Sequence, residues 1–114
     1  MSVEDIVKIY DELVTSFPDI ERKGKTMPYT SLNGNMFSFV SKEGHVGFRL
    51  STEDREWSMR EFQTRPMFQH GREMKEYVEI PSSVLEDTDV LKQLFQKSWN
   101  YAQTLKPKPT KKKK

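Results

Sequence analysis

The chain has 114 residues, of which 34% are hydrophobic and 32% charged, the balance of one small soluble domain with a single modest core. It contains no cysteine, which excludes disulfides, thiolate zinc sites and redox chemistry through protein thiols. With no run of about eighteen apolar residues and an acidic, amphipathic N-terminus, neither a membrane span nor a secretory signal is expected, and the expected location is cytoplasmic.

Ser2 with Asp5 three residues on resembles a capping box with a shortened acid, and Val3, Ile6, Val7, Tyr10, Leu13, Val14 and Phe17 then recur at three- and four-residue spacing. This pattern predicts an amphipathic helix that Pro18 stops. Residues 19–25 are charged, include Gly24 and predict a connection. Three short apolar runs follow, over 26–32, 36–41 and 46–50, joined by Asn33-Gly34 and Glu43-Gly44, which tolerate the positive φ of tight turns. A β-meander is expected. The two-residue period places Phe37 and Phe39 on one of its faces and Met36, Ser38 and Val40 on the other.

Ser51 with Asp54 is a second helix-start signal, and residues 52–63 contain good helix formers without Gly or Pro, with Met59 and Phe62 as core contacts. Arg65-Pro66 ends that helix, and residues 67–69 and 76–80 are expected strands on either side of a turn at His70-Gly71. Pro81, Ser82 and Ser83 open a last helical region in which Val84-Leu85 makes a preliminary turn before Asp87 caps the main helix. The stripe of that helix is Val90, Leu91, Leu94, Phe95, Ser98, Ala102 and Leu105, and Pro107 and Pro109 end it. The expected order is α-β-β-β-α-β-β-α. That is an α+β domain over residues 1–105, its antiparallel sheet a three-stranded meander plus two further strands, covered by helices. Phe37, Phe39, Phe48, Leu91 and Phe95 are expected in one core, with the last helix lying across the meander.

The run Lys25-Thr26-Met27-Pro28-Tyr29, the turn Leu32-Asn33-Gly34-Asn35-Met36-Phe37, the segments Phe48-Arg49-Leu50 and Arg65-Pro66-Met67, the run from Met74 through Tyr77 to Ile80-Pro81, and the final helix through Trp99 and Ala102 together resemble the TfoX N-terminal domain family. The resemblance covers most of residues 1–105. It implies a small α+β domain of the type-III-secretion-chaperone-like shape, of the kind found in bacterial proteins linked to regulation of natural competence, with no established catalytic residues. Where members of that family commonly carry a Met-Phe-Gly-Gly-like segment, this chain has Met27, Pro28 and Tyr29. A lysine tail stands where regulators of that name carry a helical domain.

Motifs for chemistry are sparse. His45 and His70 each neighbour glycine in an expected turn and lack the spacing of a metal site, so they read as solvent-facing turn residues before ligands or bases. Glu53, Asp54, Glu56 and Glu61 are dense enough for a carboxylate pair, but a helix start attracts acids through its dipole. Ser82 and Ser83 lack a nucleophile-elbow frame and read as capping residues, and the scattered glycines form no phosphate cradle. Trp57, Trp99 and Tyr101 are packing residues or, if exposed, a partner surface. Lys23, Lys25, Arg49 and Arg72, with Tyr29, form a candidate anion-binding patch at one sheet edge, against the plainer reading of a solvated face.

The net charge of +2 conceals a division. Six of the nineteen basic residues are Lys106, Lys108, Lys111, Lys112, Lys113 and Lys114, which leaves thirteen against seventeen acids, and a charge of −4, over residues 1–105. The tail 106–114 is expected to be disordered and is a candidate contact to nucleic acid. The function that fits best is a non-enzymatic regulatory or protein-interaction module. The alternatives are a nucleic-acid-associated protein that binds non-specifically through the tail, and an enzyme of unrecognised class that uses a cleft between sheet and helix. No cofactor is expected. A protein partner, or a homodimer formed through a sheet edge or a helix face, is.

Overall fold

A computed structural model describes residues 1–107. The first helix, α1 (Val3–Thr15), starts where the sequence marks it: the Ser2 side chain accepts from the Asp5 amide and the Asp5 carboxylate accepts from the Ser2 amide. Its apolar stripe buries Tyr10, Leu13 and Val14. After the connection come β1 (Tyr29–Leu32), β2 (Asn35–Val40) and β3 (Val46–Arg49). The first strand is three residues shorter than expected at its start. Gly24 sits at φ +84°, the chain bends over 25–27, and Lys23 returns to pair with Tyr29 through reciprocal backbone hydrogen bonds of 2.8 and 3.0 Å.

Next are α2 (Thr52–Phe62), β4 (Arg65–Gln69), β5 (Arg72–Glu79), a single turn α3 (Ser82–Leu85) and α4 (Thr88–Ala102). Ser51 and Asp87 cap α2 and α4 as expected. Pro81, with no side-chain cap bond, occupies the N-cap of α3, so Ser82 and Ser83 lie inside the turn and do not cap it. The second helix ends at Gln63, in a left-handed C-cap at φ 60°. Arg65-Pro66 then begins β4, where an edge strand tolerates the missing proline N–H.

The five strands form one antiparallel sheet in the order β1-β2-β3-β5-β4, giving an α+β domain. Two hairpins turn on residues with paired positive φ, Asn33-Gly34 (53° and 83°) and His70-Gly71 (54° and 77°), as two-residue type I′ turns require. The second of these lets β5 begin at Arg72, four residues earlier than expected.

Between Thr30 and Ser31 of β1 the partner on β2 jumps from Ser38 to Met36, so Phe37 is an extra residue, a β-bulge. The strict alternation expected for β2 therefore fails. Phe37, Ser38 and Val40 lie on the helix-covered face, whereas Met36 and Phe39 lie on the other. Phe37, Phe48, Leu91 and Phe95 share the main core with α1 and α4, and the Phe95 ring packs 5.9 Å from Phe37, 5.3 Å from Phe48 and 5.0 Å from Phe17. Phe39 belongs instead to a second cluster with Met67 and Tyr77. The interior also holds a hydroxyl chain, in which Tyr10 and Ser38 oxygens lie 2.6 Å apart and Ser38 is paired in turn with Thr30. Each of these buried groups has a partner, which avoids the penalty of an unsatisfied polar atom. From α2, the fully buried residue is Ser58, bonded to Thr64 at 2.8 Å, while Met59, Phe62 and Trp57 pack partly buried against the main core.

Phe95 has no exposed surface, so Phe95→Ala is expected to cost about 3–5 kcal/mol in urea unfolding. A change within about 0.5 kcal/mol would place the ring outside the core.

Burial pushes the Tyr10 phenol up to about 12, outweighing the hydrogen bonds from Ser38 and Thr30 that favour the phenolate, and burial raises Tyr77 as well. The unfolded phenol ionises near about pH 10. Above that pH the unfolded chain has released protons that the folded chain still holds. The stability that these two phenols contribute is therefore full below about pH 10 and is lost as pH rises through the folded values. Tyrosinate absorbance should show Tyr10 and Tyr77 ionising only together with unfolding.

Candidate functional site

The bulge, a glycine and two edges of the sheet together build a cleft on the face that carries no helix. Gly47 on β3 is the key spacing residue. A Cβ placed there would lie 2.7 Å from Phe39 Cε1 and 3.4 Å from Met67 Cγ, so the Phe39 ring crosses β3 only because Gly47 has no side chain. The ring thereby reaches Tyr77 on β5, edge-on at 5.6 Å, and Met67 on β4. Side chains from β1 at one edge and from the β4–β5 hairpin at the other line the same cleft.

That cleft has a volume of about 420 Å³ and is lined by Met27, Tyr29, Met36, Phe39, Gln69, His70 and Met74. Four of its seven residues are Met or Phe, and none is acidic. Met67, 1% exposed, closes the layer beneath, while Met27 at the mouth is 41% exposed. Thioether side chains are unbranched and rotate freely, so such a lining adapts to an occupant where a Leu or Val lining would not. A depression of about 460 Å³ also runs along α1 between Glu4 and Thr15, but it is the solvent side of one helix and has no opposing wall.

Beside the cleft, the Met36 carbonyl at the bulge accepts from the Tyr77 hydroxyl at 2.7 Å and from Arg49 Nη1 at 3.3 Å. Arg49 also holds Glu76 at 2.6 Å, and the other Glu76 oxygen accepts from the Tyr101 hydroxyl at 3.1 Å. Desolvation, and then the bond to Glu76, raises the Tyr101 phenol above its usual value. These polar contacts fix one wall of the cleft. No family model, no curated protein and no solved structure matches this chain.

Of the candidate anion patch, Tyr29 is in the cleft and Arg72 stands beside it, paired in register with Gln69 across the β4–β5 turn. Arg49 lies on the central strand β3 with its guanidinium committed to Glu76 and the Met36 carbonyl. Lys25 is exposed in the bend before β1, two residues from Met27, and Lys23 Nζ bonds Ser31 at 3.1 Å. The five thus occupy β1 and its approach, β3 and β5, and no hydrogen bond or ion pair among the described residues joins Lys25, Arg49 and Arg72. Lys106 is exposed, and its carbonyl accepts from the buried Asn35 side chain at 2.9 Å, which ties the start of the tail to the β1–β2 turn. Lys108, Lys111, Lys112, Lys113 and Lys114 lie outside the described residues.

His45 contacts Glu79 at 2.8 Å in an exposed pair, and Asp54 pairs with Lys97 at 3.7 Å. Trp57 packs edge-on against Phe62 under the Lys97 ammonium, and Trp99 packs against Phe37, so both tryptophans serve the helix-side core. Among the described residues no group of three or more His, Asp or Glu side chains is placed to hold a metal ion. No described helix is long and apolar enough to cross a membrane. The methionine cleft has no separate sequence motif. Its one legible hint is that Met27, Met36 and Met74 replace the branched aliphatics that dominate the other face.

The backbone at Gly47 is one that any residue adopts, so a side chain there is opposed by sterics alone. Gly47→Ala is expected to lose about 1–3 kcal/mol in denaturant titration and to shift the Phe39 and Met67 resonances more than those of Phe95. Unchanged stability with unchanged spectra would show that Phe39 does not cross β3.

Proposed function

We propose that this chain is a non-enzymatic protein-interaction module, regulatory in role and cytoplasmic, of the type that the TfoX N-terminal domain family represents, and that it docks its partner in the methionine-lined cleft. The observation that carries the reading is the cleft's composition: an open, apolar hollow with adaptable thioether walls, on the face of the sheet that the helices leave uncovered. A binding surface is distinguished from an ordinary one by such a concentration of apolar and aromatic area with a polar margin, here Gln69 and His70. The two stretches most characteristic of the family resemblance supply Met36 and Met74, the side chains that line the hollow, and Tyr77, which holds its wall. Bacterial origin and a link to competence rest on that resemblance alone.

The test is site-specific photo-crosslinking in cells that express the full chain, with a benzophenone amino acid at Met27 on the cleft mouth or, as a control, at Lys8 on α1. Discrete adducts are expected from Met27 only, and Met36→Arg should remove them while the protein stays folded by circular dichroism. Adducts that survive Met36→Arg, or that form equally from Lys8, would overturn the cleft as the docking site.

A further inference from the structure

The occupant of the cleft can be narrowed by asking where its backbone would find hydrogen bonds. The cleft floor is the face of a sheet whose strands all pair with their neighbours, so it offers side chains and no free amide or carbonyl row. The β1 edge is already paired at its start, because Lys23 and Tyr29 exchange both of their backbone hydrogen bonds. The β4 edge is five residues long and carries Pro66, which has no N–H to give. Each edge therefore offers only a short run for an added strand, and an extended segment laid in the apolar hollow would leave its own peptide groups without protein partners. A helix satisfies its backbone internally and needs only a groove for its apolar stripe.

Charge specifies the flanks of that helix. Arg72 shares the cleft face with Gln69 through their cross-strand pairing and is exposed, and Lys25 is exposed two residues before Met27. Neither makes an ion pair among the described residues. The neighbouring acids of β5 are committed elsewhere, Glu73 to Arg55 at 2.7 Å and Glu76 to Arg49 at 2.6 Å, and the cleft lining contains no carboxylate. The mouth is thus cationic on a body whose overall charge is negative. Resting on the docking role proposed above, we infer that the partner segment is an amphipathic α-helix whose apolar stripe enters the cleft and whose flanks carry carboxylates toward Arg72 and Lys25.

The experiment is selection of random phage-displayed 16-residue peptides on the immobilised full chain, with counter-selection on Met36→Arg. Enriched peptides are then synthesised and titrated against the protein. Enrichment of apolar residues at i, i+3 or i+4 and i+7 with net negative charge is expected, with helical circular dichroism on binding and shifts in the Met36 and Met74 methyl resonances. Arg72→Glu should weaken binding about tenfold, equivalent to about 1.4 kcal/mol. Replacing the peptide's acids with lysine should restore affinity to that variant but not to the wild type. Phe68→Ser, on the 57% exposed ring outside the cleft, should leave affinity unchanged. Enriched peptides that shift the Met36 and Met74 methyls but alternate with a period of two, or carry positive charge, would overturn the helix while keeping the cleft. If no enriched peptide moves those methyls, both the helix and the docking site fall.

Discussion

One extra residue in β2 decides what each face of the sheet becomes. A bulge at Phe37 puts Phe37 and Ser38 on the helix side together, and Met36 and Phe39 on the other side together. It also presents two carbonyls for side chains to cap. The Phe37 carbonyl accepts from Ser98 of α4 at 2.9 Å, and the Met36 carbonyl accepts from Tyr77 and Arg49 on the opposite face. The bulge is thus clamped from both sides, and moving the register by one residue would break both clamps and exchange the two faces. Ser98, a polar residue in the middle of an apolar stripe, is explained by that bond. So is the hydroxyl chain from Tyr10 through Ser38 to Thr30, since the bulge is what turns Ser38 inward.

The two faces then acquire different physical characters. Toward the helices the core is built from Val, Leu, Ile and Phe, which pack in few rotamers and define one arrangement of α1 and α4 on the sheet. Toward the cleft the apolar residues are Met36, Met67, Met74, Phe39, Tyr29 and Tyr77, with long or flat side chains and no branched aliphatic. Gly47 links the two regimes. Its bare Cα allows Phe39 to lie over β3, where the ring joins Met67 and Tyr77 beneath the cleft. A rigid layer behind an adaptable one is a sound arrangement for binding, because adjustment in the cleft leaves the main core, where most of the stability resides, untouched.

What the sequence discloses follows from the range of the interactions involved. The capping box at Ser2, the caps at Ser51 and Asp87, the turns at Asn33-Gly34 and His70-Gly71 and the stripe of α4 from Val90 to Ala102 are all local, set within a few residues, and each is where its signal places it. Leu105, expected on that stripe, lies beyond the helix, which ends at Ala102 ahead of Pro107. The bulge is not local. It depends on β1 pairing with β2 and on Ser98, 61 residues away in sequence, so a two-residue period applied to β2 alone assigns Phe39 to the wrong core. The cleft is illegible for the same reason: Met27, Met36 and Met74 come together only once the strands have paired into the sheet. The end of α2, by contrast, falls where residues 52–63 place it, closed by a left-handed C-cap at Gln63.

The distribution of charge gives the cleft a direction. Acids gather at the helix starts, where Glu4, Asp5, Glu53, Asp54 and Asp89 oppose the positive ends of the helix dipoles, and this places negative charge around the helical layer. On the other side, the acids next to the cleft are spent in pairing Arg49 and Arg55, which leaves Arg72 and Lys25 to set the local sign. An acidic helix of the kind proposed would therefore be repelled by the helices and drawn to the cleft mouth, so long-range electrostatics would favour that face before any apolar contact forms. Those charges lie in water and are screened within about 10 Å at moderate salt, so they would govern the rate of encounter and the orientation of such a helix. The thioether walls would then set how long it stays.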